Sequence, residues 1–381
     1  MSQQPLSLYL HFPWCISKCP YCDFNSHRAG DNAPRDRYVT AITNDLRFEG
    51  ERSDDRPVTT IFLGGGTPSF FAPEEIAQVL ESANRHLQVS PNCEVTMEAN
   101  PGTLERGSLE AYRRAGVTRL SLGAQSFDAT MLKVLGRIHG PEDIRSAYNE
   151  ARLAGFDSIN IDLMFALPGQ QLESALSDVN RLLELGPPHI SYYQLTLEPN
   201  TVFHRNPPRG IPDDELSWTI QERCHELLQT AGYEKYEISA FAREGHRCQH
   251  NLNYWHFGDY LAVGAGAHGK LTDISGFAWR YRKAANPLTY IEQSENDRWD
   301  AAARISADDL SFEYMLNALR LTDGFSEADF CDRTGLESRA IHEPIARAHR
   351  DGLIEQVNPG HWRPTATGFR FLNDLQARFL P

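Results

Sequence analysis

Three cysteines, Cys15, Cys19 and Cys22, stand within the run CISKCPYCDF near the N-terminus of a chain that has seven cysteines in all. Thiolates at i, i+4 and i+7 on a loop can turn toward one centre, and soft sulfur ligands suit an iron–sulfur cluster or zinc. Structural zinc takes four ligands, usually from two C-x2-C pairs. Here the spacing is C-x3-C-x2-C and no second pair lies nearby. Three cysteines on a [4Fe–4S] cluster leave one iron open to an outside ligand. Seven is an odd number of cysteines and three are clustered, so metal binding is a better expectation than a disulfide framework.

The elements around that run must bring other groups to it. From Leu8 to about Thr196, the short β-rich runs SLYLHF, TTIFLG, CEVTMEA, TRLSLGA, SINIDLM and ISYYQLTL alternate with stretches of helical period. The helical stretches are PEEIAQVLESANRHL, LERGSLEAYRRAG, PEDIRSAYNEARLAG and QLESALSDVNRLLEL. Alternation of this kind is the pattern of parallel βα units. Gly116 and Gly155 stand just past the last apolar position of two helices, where a C-cap is expected. Parallel strands need crossovers of one hand, so six of them predict an α/β fold built as a partial (β/α)6 barrel. Polar and glycine residues follow the strands in HFPWC, LGGGTP, MEANPG, LGAQSF and IDLMFALPG. Ligands in such folds bind beyond the carboxyl ends of the strands, so these five loops are expected to face one site.

After Pro199 the alternation fades. A helix from Glu215 to Thr230 and a strand-like YEKYEISA lead into a loop rich in His, aromatic and Gly residues, HRCQHNLNYWHFGDYLAVGAGAHGK. From Ala302 the pattern is three helices and a hairpin-like GLIEQVNPGHWRPTATG, which predicts a small winged-helix-like domain. The expected division is residues 1–240 as the core, 241–300 as a connecting segment and 301–381 as the C-terminal domain. A net charge of −14 repels a phosphate backbone. Nucleic acid is therefore not expected as a partner, whatever fold the C-terminus adopts. No basic leader and no apolar run of about 18 residues is present, so a cytoplasmic protein is expected.

The C-x3-C-x2-C run after the first strand resembles the signature of the radical S-adenosylmethionine (SAM) superfamily, and the likeness covers the whole βα region. It implies a [4Fe–4S] cluster on Cys15, Cys19 and Cys22, with the methionyl amino and carboxylate groups of SAM chelating the open iron. A cluster electron can then cleave the sulfonium C–S bond and release a 5′-deoxyadenosyl radical. The resemblance assigns Gly64, Gly65, Gly66 and Thr67 to the methionyl ammonium and Glu98 to the ribose hydroxyls. Gln125, Arg137 and Asp162 match further positions that line the cofactor, with Arg137 suited to a carboxylate. Tyr9 and Tyr21 match positions beside the cluster. Each also has a plain structural use, since a glycine run can be a tight turn and a carboxylate can cap a helix. Their joint placement at strand ends favours the site.

Within the superfamily, CPYCDF, GGGTPS, EANPGT and LGAQSF are similar to the group that contains oxygen-independent coproporphyrinogen III oxidase and its HemW relatives. The oxidase carries a further cysteine two residues beyond the triad, where this chain has Phe24 after Cys22 and Asp23. A phenyl ring is neither a nucleophile nor a proton carrier, which counts against oxidase activity. The run HNLNYW matches the H-N-x-x-Y-W motif of HemW haem chaperones. That resemblance implies haem near His250, its imidazole on the iron, with Tyr254 and Trp255 against the porphyrin or its propionates. Cys248, His246, His256 and His268 lie close in sequence and are alternative ligands. It also implies delivery of haem to respiratory membrane proteins through peripheral or transient membrane contact, and a homodimer when the cluster is loaded. The competing functions are a coproporphyrinogen III oxidase that decarboxylates two propionates, and a structural zinc protein.

Overall fold

Strand β1 (Leu6–Phe12) reads LSLYLHF and is buried at six of its seven residues, as a parallel strand covered on both faces must be. The computed structural model describes residues 6–30, 32–102, 108–296 and 302–381. Two short strands, β2 (Trp14–Cys15) and β3 (His27–Arg28), pair in parallel and close the cysteine segment into a loop. The sheet then grows in chain order from β1 through β4 (Val58–Gly65), β5 (Val89–Ala99), β6 (Arg119–Gln125), β7 (Ser158–Phe165) and β8 (His189–Gln194), each parallel to the one before. These are the six strands read from the sequence. The crossover helices include Pro73–His86, Leu109–Arg114, Pro141–Leu153 and Leu172–Leu185. Residues 104–107 of the expected second helix lie outside the described residues. Gly116 and Gly155 take φ of +112° and +84° just past their helices, as a C-cap requires.

Several elements depart from the sequence reading. The first crossover is a helix, Arg35–Glu51, that periodicity does not announce. Two of its buried positions, Asp45 and Glu49, are carboxylates that break the apolar stripe. The run YEKYEISA does not form one strand. It starts a hairpin of β9 (Glu234–Glu237) and β10 (Ala240–Ala242), and β10 is antiparallel to β8. The His- and aromatic-rich run after residue 246 is not a loop either. It holds the helix Gln249–Trp255, whose buried residues are His250 and Asn253, so it shows no apolar face in the sequence. It also supplies β11 (Asp259–Val263), which lies parallel to β1 on the side opposite β4, and β12 (His268–Thr272). Strands β13 (Ala278–Arg282) and β14 (Ala303–Arg304) complete a twelve-stranded sheet.

The added strands are fastened by buried ions. Lys283 Nζ lies 2.6 Å from Asp45 Oδ1 and 2.7 Å from Glu49 Oε1. Tyr290 and Tyr281 donate to the same two carboxylates at 2.7 Å each. Asp259 on β11 accepts from Arg56 at 2.7 Å and from Lys270 on β12 at 2.9 Å. At the C-terminus, the helices Ala307–Ala318, Glu327–Thr334 and Arg339–Arg350 pack on a small sheet. That sheet comprises β15 (Phe325–Ser326), β16 (Ile354–Asn358) and β17 (His361–Pro364), in the order β15-β17-β16. This is the winged-helix-like arrangement the sequence suggested.

Replacing Lys283 by Met leaves Asp45 buried without its cation and Glu49 with Arg52 alone, 3.1 Å away, and is expected to destabilise the protein by about 3–5 kcal/mol. Urea unfolding would measure it, and the triple change D45N/E49Q/K283M should recover most of the loss, because no buried unpaired carboxylate then remains and Arg52 is partly exposed to water.

Candidate functional site

Five of the strand ends meet at one edge of the sheet. Beyond β1 the backbone of the cysteine loop is pinned at its neck, where His27 N donates to Pro13 O at 2.7 Å and Ala29 N to Cys15 O at 2.8 Å. Within the loop Cys22 N donates to Cys19 O at 3.2 Å. Cys15, Cys19 and Cys22 then line one pocket together with Tyr21, Gly65, Gly66, Thr67, Glu98, Gln125, Arg137 and Asp162. Eleven of the residues singled out from the sequence are thus brought together. Asn100, Ser121, Gly123 and Tyr193 line the same pocket without having been predicted; Asn100, Gly123 and Tyr193 sit at or near the carboxyl ends of β5, β6 and β8, the signal that could have found them, while Ser121 lies inside β6.

The glycine loop after β4 is shaped by close approach. A Cβ on Gly66 would stand 2.7–2.9 Å from the backbone of Phe12, Pro13 and Trp14, and Gly66 N donates to Phe12 O at 2.7 Å. Gly65 has φ of +106°, which a side chain disfavours. Gly64 lies just behind the pocket, where a Cβ would meet the Phe62 ring at 2.9 Å and Glu98 Oε2 at 3.1 Å. Gln125 is a non-glycine residue at φ +70°, a conformation that persists only when the surroundings enforce it. Its Oε1 accepts from Tyr193 OH at 2.8 Å.

The charges in the pocket are set by burial. Glu98 accepts from Gly65 N at 3.1 Å; burial, with nearby Asp162 adding to it, pushes its carboxyl up to about 8. Burial also raises Asp162, against hydrogen bonds from Asn160 and Ser121. Arg137 points one nitrogen at Cys19 Sγ, 3.4 Å away, and holds Gly123 O at 2.8 Å and the Asn100 side chain with the other. Burial lifts Cys15 to about 11 and raises Cys22, so a metal entering here displaces protons from these thiols. Among the described residues no three His, Cys, Asp or Glu side chains gather closely enough for a single metal ion. Three thiols around a shared pocket, with a guanidinium and a glycine loop beside them, fit a cluster with an open corner better than one zinc ion.

The haem-motif residues touch one another but do not line one cavity. His250 is buried with both ring nitrogens occupied, Nδ1 by Thr60 Oγ1 at 2.8 Å and Nε2 by Tyr254 OH at 3.1 Å. Burial lowers its pKa to about 3. His250 thus lies beneath the cavity on the same face of the sheet as Phe62 and presents no free nitrogen to a ligand, because the Phe62 ring, 5.1 Å away, and Tyr254 enclose it. Trp255 faces the C-terminal helices instead, with Arg320 4.1 Å from its ring centre. Tyr254 alone of the three lines a second cavity of about 590 Å³, beside the cysteine pocket. Tyr9, His11, Asp23, Asn25, Tyr260, Gly266 and His268 also line it, and Phe24, Gly65 and Glu98 are common to both cavities. Of the alternative ligands, Cys248 is buried with its thiol 3.7 Å from Glu94, and His256 lies in a separate groove.

Residues 9–182 match the Radical SAM superfamily and residues 305–371 match the HemN C-terminal domain. "Heme chaperone HemW" of Haemophilus influenzae is 44% identical over 380 residues, covering 99% of this chain and 98% of that protein. The protein of the same name from Mycobacterium tuberculosis is 34% identical over 363 residues, covering 93% and 90%. Coproporphyrinogen III oxidase (HemN) from Escherichia coli superposes with a TM-score of 0.83 at 22% identity, over 99% of this chain and 90% of that one, and so shares the fold. A mostly parallel sheet with this cysteine loop at its carboxyl edge is the architecture of the radical SAM superfamily. Within it the chain belongs to the HemW family.

Because Glu98 is held at about 8 against 4.5 in the unfolded chain, its contribution is fully present below 4.5 and is lost as pH rises through 8. The Glu98→Gln protein, free of ligands, should therefore melt a few degrees above the parent at and beyond pH 8. The gap should close near pH 4.5; thermal melts across that range measure it.

Proposed function

We propose that this chain is a cytoplasmic haem chaperone that binds a [4Fe–4S] cluster through Cys15, Cys19 and Cys22, holds SAM in the adjoining pocket, and carries haem to respiratory membrane proteins. The observation that carries the reading is the side-by-side pair of cavities: three thiols line one, aromatic rings line the other, and Phe24 borders both where the oxidase has its extra thiol. The relatives named heme chaperones support the cargo. The membrane recipient, the homodimer and a transient membrane contact belong to the proposal. Among the described residues no helix is long and apolar enough to cross a membrane. In this reading residues 1–240 hold the cluster and SAM, 241–300 wall the haem side, and 301–381 form a separate domain.

When bound, the cluster would supply an electron to the sulfonium of SAM. This chain's residues bind and orient around that event. The thiols of Cys15, Cys19 and Cys22 would release their protons and hold the cluster. Gly65 and Gly66 let backbone come within reach of the methionyl ammonium without a Cβ in the way. Arg137 is placed for the carboxylate. Glu98 carries a proton at neutral pH, since it titrates near 8, and can both donate to and accept from ribose hydroxyls. Tyr193 fixes the Gln125 amide, and Asn160 and Ser121 fix Asp162. Phe24 offers no proton or electron pair to a porphyrinogen radical, so the oxidase reading has no donor at that position.

Two measurements test this. Anaerobic incubation of the reconstituted protein with coproporphyrinogen III, beside a haem titration, should give haem binding with no porphyrinogen consumed. Turnover to protoporphyrinogen would establish the oxidase instead. The Cys19→Ser protein should lose its iron and acid-labile sulfide while its haem affinity stays within a few-fold of the parent. Loss of both would mean that the two sites are one.

A further inference from the structure

Three histidines stand at the haem-side cavity or directly behind it, and their hydrogen bonds separate them. His250 has both nitrogens occupied. His11 is also fully used, its Nδ1 by Tyr9 OH at 3.0 Å and its Nε2 by Asn25 O at 2.9 Å. His268, at the start of β12, is exposed, lines the cavity and has no hydrogen-bond partner among the described residues. We propose that haem seats in this cavity with the His268 imidazole on its iron, the Phe24 ring against its face and Arg282 paired with a propionate; this rests on the haem-binding reading above.

Shape and lining favour such an occupant. About 590 Å³ lies inside the roughly 300–1,000 Å³ range of small-ligand sites. Aromatic rings with one nitrogen donor among them are what a flat apolar macrocycle with a ligand-seeking metal requires. Phe24 is 57% exposed, so much of its ring is open to an apolar face. It borders both cavities, so a porphyrin lying on it would sit beside the cysteine pocket.

The charges agree. Arg282 on β13 is directly opposite His268 in the antiparallel register, with Arg280 two residues before it. Arg280 is engaged by Glu313 at 2.6 Å and by Tyr260. Arg282 is exposed and has no ion pair among the described residues, which leaves it free for a carboxylate. Burial and these two arginines lower the pKa of His268, and the neutral imidazole is the form that ligates iron.

The wall is also rigidly joined to the cysteine loop. Asn25 Nδ2 donates to Ala265 O and Ala285 O at 2.9 Å each. A Cβ on Gly266 would stand 2.2 Å from that nitrogen. Residues 24–25 and 265–266 are thus tied to one another by the protein's own hydrogen bonds.

The test is a haem titration of the full-length protein, followed by absorbance and by electron paramagnetic resonance of the ferric haem, for the parent and for His268→Gly. Thermal melting and cluster content report that the variant is folded, which its exposed position favours. Haem affinity of His268→Gly should fall about tenfold or more, as expected for loss of a metal ligand. Its spectrum should lose the imidazole-ligated signature, and free imidazole added to the variant should restore it. Arg282→Gln should weaken binding a few-fold with the spectrum unchanged. A folded His268→Gly protein with parental affinity and spectrum would overturn the assignment while leaving haem binding intact, as would a lost signature that imidazole does not restore. A parent protein that binds no haem would overturn the functional reading itself.

Discussion

The position of β1 in the middle of the sheet governs the rest of the molecule. It is parallel to β4 on one side and to β11 on the other, so three strands end together at one edge. The cysteine loop leaves from the central one. The glycine loop of β4 and the Gly264–His268 turn after β11 therefore flank it, one on each hand. One pocket forms toward β4 through β7 and a second toward β11 and β12, with Phe24 and Glu98 at their border. Had β11 been absent, the loop would have faced a single cavity with an open edge, and a sheet edge left open is a liability.

Placing polar chemistry there carries a cost that the sheet's own ions help to offset. Glu98 and Asp162 are buried with raised pKa values, and Gln125 is held at positive φ. Local strain of this sort survives only within a framework that over-determines it. The framework on the β11 side is the Lys283 pair with Asp45 and Glu49 and the Asp259 pair with Arg56 and Lys270. Ion pairs so buried add little net stability but are demanding about geometry, since removing one partner leaves an uncompensated charge. They fix where β11, β12 and β13 sit, and with them the wall that carries His268.

The likeness to an oxidase fold at 22% identity beside HemW relatives at 44% and 34% shows how one scaffold is turned to different ends. The strand ends and the three thiols belong to the scaffold. Beside them the chain varies single side chains, as with Phe24 two residues past Cys22. Function in such folds resides in the residues grafted onto the strand ends.

The six parallel strands, the cysteine triad and the glycine loop were readable from sequence because their signals are local: hydrophobic runs of strand length, fixed cysteine spacing, and glycine where backbone must come close. The convergence of Glu98, Gln125 and Asp162 was inferable too, since the carboxyl halves of parallel strands share an edge; Arg137, which follows a helix after β6, came only from the resemblance. What lay beyond reach depended on long-range partners. The helix Arg35–Glu51 looks weakly amphipathic because its buried carboxylates are satisfied by Lys283, more than two hundred residues away. His250 reads as a haem ligand by motif, yet Thr60 and Tyr254 claim both of its nitrogens. His268, in a plain-looking GAGAHG turn, is the one left open to the cavity. Sequence alone determined which groups could ligate; only tertiary structure decided which of them had hydrogen-bonding capacity to spare, because a buried imidazole is committed by neighbours that the chain brings in from far away.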